Sequence, residues 1–304
     1  MKTLILILCT LIIAPAFAQR LPVQKKSYIT NKLQGKIPEI DADFSDEAWK
    51  LVEWEENFIQ REPLNGKSPS QRTAFKITYD DNNIYVALKA FDSIPSQIIT
   101  RMSRRDEREG DLLGIQFDSY NDKLTAFTFW VSAAGVKADA MFSNDGDNED
   151  YSWDPIWYVK TALVSDGWQA EMRIPLSQLR FNKNDQQIWG MEVMRYIQRK
   201  EELSLWQHIP KDASGWVHHF GELQGIIGIK PQRQIELLPY LVAKADRYEA
   251  EEGNPFKTGK LNKLTYGLDG KIGITNDFTL DFTVNPDFGQ VEADPSEVNL
   301  SGFE

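Results

Sequence analysis

Trp168-Gln169-Ala170-Glu171-Met172-Arg173-Ile174-Pro175 decides the fold. Side chains alternate across a strand, so Trp168, Ala170, Met172 and Ile174 face one way while Gln169, Glu171 and Arg173 face the other. The same period returns on both sides of this stretch. Phe75, Ile77 and Tyr79 alternate with Ala74, Lys76 and Thr78, and the runs Leu113, Ile115, Phe117 and Phe127, Phe129, Val131 repeat it. Ile84-Tyr85-Val86-Ala87-Leu88 follows the turn Asp80-Asp81-Asn82-Asn83 and is apolar on both faces, as a central strand is. Trp189-Gly190-Met191-Glu192-Val193 adds another strand. The one helix expected is short, from about Ser45 to Val52, with Asp43 or Ser45 as its cap and Asp46 and Glu47 in its first turn. Many short strands with polar turns predict an all-β fold, an antiparallel, jelly-roll-like β-sandwich over residues 37–228. Residues 19–36 are basic and polar and read as a linker or an edge strand.

The N-terminus reads as a secretory signal peptide over residues 1–18. Lys2 provides the positive start, Leu4 to Ile13 the apolar segment, and Ala16-Phe17-Ala18 the small-x-small cleavage pattern. The apolar segment is far short of the roughly 20 residues a spanning helix needs, so the chain is expected to be exported. Cys9 is the only cysteine and lies within that leader, which leaves disulfides and thiol chemistry no residue to use. The formal charge is −11 and no long basic run offsets it, so no nucleic-acid partner is expected.

Residues 229–304 change character. Thr265 to Ile274 and Phe278 to Val284 form a pair joined by Thr275-Asn276-Asp277. Phe278, Leu280, Phe282 and Val284 alternate with Thr279, Asp281 and Thr283, while Tyr266, Leu268, Ile272 and Ile274 oppose Thr265, Gly267, Asp269 and Lys271. Apolar-out, polar-in strands with a tight turn fit a hairpin of an outer-membrane β-barrel. A water-soluble antiparallel sheet shows the same alternation. Two or three strands cannot close a barrel, and the chain reaches Ser301-Gly302-Phe303-Glu304 without a finishing strand, so it reads as the N-terminal part of a longer protein.

Further pieces follow one another in a specific order. Ile40-Asp41 precedes Asp46-Glu47-Ala48-Trp49; Thr73 and Tyr79-Asp80 precede Ile84-Tyr85-Val86; then come Phe117-Asp118, Gly167-Trp168 with Glu171, Ile174-Pro175, Trp189-Gly190 and Phe220-Gly221. This succession resembles the family 9 carbohydrate-binding modules and their DOMON-like relatives, over about residues 37–228. The tail run Thr283-Val284-Asn285-Pro286-Asp287-Phe288-Gly289-Gln290-Val291-Glu292-Ala293-Asp294-Pro295 resembles the start of the barrel that follows such a module in many Gram-negative envelope proteins. The resemblance implies a glycan or other extracytoplasmic ligand for the sandwich. It implies contact with the outer membrane through the barrel strands, with the sandwich periplasmic or on the cell surface. Two alternatives stand beside it. One is a plug, lid or docking domain of a transport or secretion barrel that binds envelope proteins instead of sugar. The other is part of a glycan-degrading hydrolase in polysaccharide catabolism.

Sugar recognition needs flat apolar surfaces for the ring and polar side chains for the hydroxyls. The chain has nine tryptophans. The resemblance assigns Trp49, Trp168 and Trp189 to packing, which leaves Trp130, Trp153, Trp157, Trp206 and Trp216 freer. Trp216 precedes Phe220-Gly221, where sugar-binding relatives place one of two stacking aromatics. Arg108 stands where they place the other, so the two-aromatic clamp is incomplete. Trp130 points away from the face of Phe127, Phe129 and Val131 and is a candidate substitute; packing against a second sheet or a partner is its alternative. Trp153 and Trp206 complete the candidate carbohydrate-binding set.

Asn144-Asp145-Gly146-Asp147-Asn148-Glu149-Asp150 is dense in hard oxygen ligands, and the family often carries structural calcium. Asp145, Asp147 and Asp150 are the candidate ligands. The run departs from the EF-hand pattern, lacking its glycine and its closing glutamate, so a solvated acidic loop is the alternative. His208, His218 and His219 are the only histidines, with no Ser/His/Asp arrangement or zinc spacing around them, and 45 acidic residues make carboxylate pairs uninformative. No catalytic residue is assigned.

Overall fold

The structure is a computed structural model that describes residues 25–250, 252–253, 259–274 and 278–286. The leader with Cys9, the turn at 275–277 and the end of the chain from 287 lie outside the described residues.

The chain is all-β. Its strands are β1 (Ser27–Ile29), β2 (Asn31–Lys32), β3 (Ile59–Glu62), β4 (Thr73–Tyr79), β5 (Asn83–Phe91), β6 (Leu112–Asp118), β7 (Ala126–Ser132), β8 (Lys137–Ser143), β9 (Asn148–Asp150), β10 (Tyr158–Val164), β11 (Gly167–Pro175), β12 (Gln186–Ile197), β13 (Glu202–Leu205), β14 (Gly221–Ile227), β15 (Ile235–Arg247), β16 (Lys260–Gly273) and β17 (Thr279–Val284). One sheet of nine strands runs β1-β14-β12-β6-β7-β8-β9, with β13 joining β12 to β3. A second sheet of five runs β10-β11-β5-β4-β2.

The two sheets close on the alternating faces read above. Leu113, Ile115, Phe117, Phe127, Phe129, Trp189 and Met191 come from the larger sheet, and Phe75, Ile77, Val86, Leu88, Trp168 and Met172 from the smaller. β5 is apolar on both faces for a reason. Its Ile84, Val86 and Leu88 enter this core, while Tyr85 and Ala87 turn outward beneath Trp49 and Val52.

Trp49 lies on a single short 3-10 turn, Glu47–Leu51, where a longer helix from Ser45 is expected. Asp46 stands at its N-cap but makes no side-chain cap bond there. Its carboxylate accepts the Glu39 N–H instead, and Asp43 accepts the Ser45 N–H. The acidic side chains thus serve the preceding loop and leave a helix nothing to start on. The indole of Trp49 donates to buried Glu171 Oε1 at 2.9 Å.

Residues 27–32 take the edge-strand form and cross between the sheets. β1 runs parallel to β14 in the larger sheet and β2 parallel to β4 in the smaller, with Tyr28 buried between them.

β15, β16 and β17 form a separate open antiparallel sheet. The register sets Ile235 opposite Ile272, Leu241 opposite Tyr266, Ile272 opposite Leu280 and Leu268 opposite Val284. Glu236 opposes Lys271, and Lys271 opposes Asp281, on the other face. One face is therefore apolar across all three strands, and Leu237, Leu241, Leu264, Tyr266, Leu280 and Val284 are exposed on it. No helix among the described residues is long and apolar enough to cross a membrane, a criterion that does not address strands.

Candidate functional site

Every residue of β6 and β7 is buried, because the larger sheet is covered on both faces. Leu112, Gly114 and Gln116 alternate away from the inter-sheet core, as do Ala126, Thr128 and Trp130. They meet Phe142, Met194 and Leu205, and the segment between β13 and β14 folds over them with Val217 and Phe220. Trp130 pairs with Gly114 in register, and a Cβ on Gly114 would lie 2.5 Å from the indole. Glycine there lets the ring lie flat against the sheet.

Trp216 enters over this layer on the strength of Asp145. The Trp216 N–H donates to Asp145 O at 2.8 Å, and Asp145 Oδ1 accepts from the backbone N–H of His218 at 2.9 Å. Asp145 Oδ2 meets His218 Nδ1 at 2.5 Å. Burial raises this carboxyl, but the bonds from His218 and Trp216 outweigh it and hold Asp145 below its ordinary value. Gly215 makes the approach possible, with φ +74° and no room for a Cβ, which would sit 2.0 Å from Asp145 Oδ2. The Trp216 indole then donates to Gln116 Oε1 at 2.7 Å, and Gln116 donates to Thr128 Oγ1 at 2.8 Å.

The result is an open groove of about 350 Å³. Trp130, Trp216, Phe142 and Met194 supply its apolar surface, and Gln116, Arg61, Arg108, Asp147 and Glu149 its polar groups. Arg61 comes from β3, anchored on the carbonyls of Ile209 and Pro210 at 2.7 and 3.0 Å, with its guanidinium 5.1 Å from the Trp216 ring centre. Arg108 bonds the Tyr151 hydroxyl at 2.6 Å and approaches Glu149 at 3.6 Å. An aromatic ring therefore lies against Arg108, outside the lining of the groove itself. It belongs to Tyr151, which is half-exposed.

The fold thus brings Trp216, Trp130 and Arg108 to one groove and keeps the other two candidates away from it. Trp206 is sealed in the inter-sheet core with its ring edge-on to Phe75, beyond the reach of any ligand. Trp153 packs on Phe127 and Phe129 at the margin of the same core. Trp157 is buried as well, its indole bonded to Asp139.

In the acidic run, two of the three candidate calcium ligands already hold hydrogen bonds. Both Asp145 oxygens are engaged by the 216–218 backbone and His218, and Asp150 Oδ1 accepts from the backbone and hydroxyl of Ser152. Among the described residues, no three His, Cys, Asp or Glu side chains are grouped to hold a metal. Of the three histidines, His218 is the partner of Asp145. His208 meets Asn65 and His219 meets the Ser214 carbonyl.

Sequence reasoning missed Gln116, Arg61 and Tyr151. Gln116 carried a faint signal, a polar residue in a strand whose outward side also had to be covered. Arg61 carried none, since only the pairing of β3 with β13 brings it to the groove.

Residues 40–217 match the family model described as carbohydrate family 9 binding domain-like. Residues 231–304 match a domain of unknown function (DUF5916). No curated protein matches the chain. A family 9 carbohydrate binding module from Caldicellulosiruptor kristjanssonii, solved in complex with glucose, is 21% identical with a TM-score of 0.49, over 68% of this chain and 97% of its own. The structure of such a module from that organism with cellotriose gives the same identity and TM-score, over 68% and 95%. A candidate carbohydrate-binding protein from Bacteroides uniformis is 15% identical with a TM-score of 0.51, over 66% and 99%. At that identity the likeness is one of fold.

Proposed function

The chain belongs to the carbohydrate family 9 binding domain-like family, and from that premise we propose that its sandwich binds a glycan in the groove of Trp216. One observation carries this. Two tryptophans far apart in sequence, Trp130 and Trp216, converge in a solvent-open groove whose rim bears guanidinium and carboxylate groups. Apolar faces suit the C–H surface of a pyranose, and the polar rim suits its hydroxyls. Groove cations and carboxylates are nearly balanced, which favours an uncharged sugar.

The test is a titration of the protein with oligosaccharides up to millimolar concentration, followed by tryptophan fluorescence. The expected result is a saturable change whose affinity Trp216→Ala weakens about fivefold or more, since one lost stacking face costs on the order of 1 kcal/mol beyond the area it buries. A broad glycan panel without response, together with co-purification of envelope proteins, would leave the docking-domain alternative in its place.

We propose further that the chain is exported and that β15–β17 are the first strands of an outer-membrane barrel, apolar face to lipid. The continuous apolar face and the polar reverse support this. In detergent phase partition the full chain is expected in the detergent phase, and Leu241→Lys with Leu264→Lys should move it toward water. A water-soluble, protease-resistant 231–304 fragment would overturn the barrel assignment.

A further inference from the structure

We infer that the groove where the tail sheet meets the sandwich is a site for a phosphate-type oxyanion. This groove, about 480 Å³, lies at the end of the tail sheet where β15 begins, β16 ends and β17 begins. Arg180 and Lys183 reach it from the sandwich, and Arg233 from the chain entering β15. The hydroxyls of Ser177 and Thr279 line it as well. None of its described lining residues carries a carboxylate, although the whole chain has a formal charge of −11.

Two described acids near the groove have partners of their own. Glu236 accepts from Gln178 at 2.9 Å and from Gln234 at 2.7 Å, and Asp81 pairs with Lys32 at 2.6 Å. Arg180 donates to Thr279 Oγ1 at 3.0 Å, a neutral partner that leaves its charge uncompensated. Among the described residues neither Lys183 nor Arg233 has an ion-pair partner.

Three like charges gathered in one concave surface repel one another, and a bound anion removes that repulsion. A phosphoryl group suits the donors better than a carboxylate does. A free phosphate approaches two negative charges at neutral pH and a lipid phosphodiester carries one, and the oxygens of either match the forked donors of two guanidinium groups. The anion has two sources, a free phosphate or the headgroup of an anionic lipid. The headgroup source rests on the barrel proposal, because lipid on the apolar face of β15–β17 would put this end of the sheet at the membrane surface. Binding of free phosphate does not depend on that proposal.

The full chain in a polyoxyethylene detergent, at constant ionic strength, is titrated with inorganic phosphate by calorimetry. A second arm adds phosphatidylglycerol to the micelles, with phosphatidylcholine as the reference. Saturable binding is expected in at least one arm, weakened about tenfold by Lys183→Gln with Arg233→Gln, the loss of two exposed unit charges. Lys183→Arg with Arg233→Lys should retain most of it. Phosphate binding without a lipid preference assigns a soluble anion, and a phosphatidylglycerol preference assigns a headgroup. No saturable binding in either arm, or affinity unchanged by the double Gln variant, overturns the site. The glycan response at Trp216 serves as the folding control, with far-UV circular dichroism as a second should that response be absent from the unmodified chain.

Discussion

Tyr28 gives the sharpest test of how the sandwich is closed. It is 6% exposed, and its ring centre lies 5.0 Å from that of Phe75 in the core. Its hydroxyl donates to Glu53 O at 2.9 Å and accepts the Ile77 N–H at 3.1 Å. Thr30 Oγ1 donates to Ile77 O at 2.7 Å. Side chains from 28 and 30 therefore complete the outer edge of β4 at Ile77, where no strand pairs with it. Tyr28→Phe keeps the ring and strands a buried N–H, at a cost of about 1–3 kcal/mol. Tyr28→Ala also removes the ring, for which aromatic-to-alanine changes in cores cost about 3–5 kcal/mol. Deleting residues 25–36 removes all of this together, an amount comparable with the whole stability of about 5–15 kcal/mol typical of a domain. Urea unfolding of a 25–230 fragment, followed by tryptophan fluorescence, should give one cooperative transition. Tyr28→Phe should lower its midpoint with the slope unchanged, and a 37–230 fragment should be marginal or unfolded. Equal midpoints for the 25–230 and 37–230 fragments, with Tyr28→Phe within about 0.5 kcal/mol of the parent, would refute the reasoning.

Other outcomes follow from the same geometry. Burial lifts the Glu171 carboxyl to about 7, against the bonds from Trp49, Asp41 and Ala42. A raised folded value means the contribution is complete below about pH 4.5 and is lost as pH rises through 7. Stability should fall by about 3 kcal/mol across that window, and Glu171→Gln should flatten it; an unchanged pH profile would count against a protonated Glu171. Gln116→Leu should leave the fold intact but weaken glycan binding severalfold, because the Trp216 indole loses its acceptor; unchanged affinity would show that the bond does not hold the ring in place. Gly114→Ala should displace Trp130 and change the fluorescence of the groove, and an unaltered spectrum and affinity would exclude Trp130 from the site. Millimolar calcium should raise the melting temperature no more than magnesium does, and a calcium-specific rise abolished by Asp145→Ala with Asp147→Ala would restore a metal site at the acidic loop.

The sequence by itself determined the strands and the packing of the core. Period-two alternation is local, so Trp168, Ala170, Met172 and Ile174 could be placed together from their own stretch, and all four are buried in the inter-sheet core. The packing role of Trp49 and Trp189 came from the resemblance to the family 9 modules, and both are buried. Only the tertiary structure separated Trp206 from Trp216. A tryptophan in an irregular segment has no period to show which side it turns to, and these two lie ten residues apart on opposite sides of one sheet. The acidic run suggests a cation site by its local composition, whereas the partners of Asp145, at Trp216 and His218, are remote and only the tertiary structure shows them. The groove is likewise made of β3, β6, β7, β8, β9, β12, β13 and three connecting segments. Their meeting depends on strand order, which alternation does not encode.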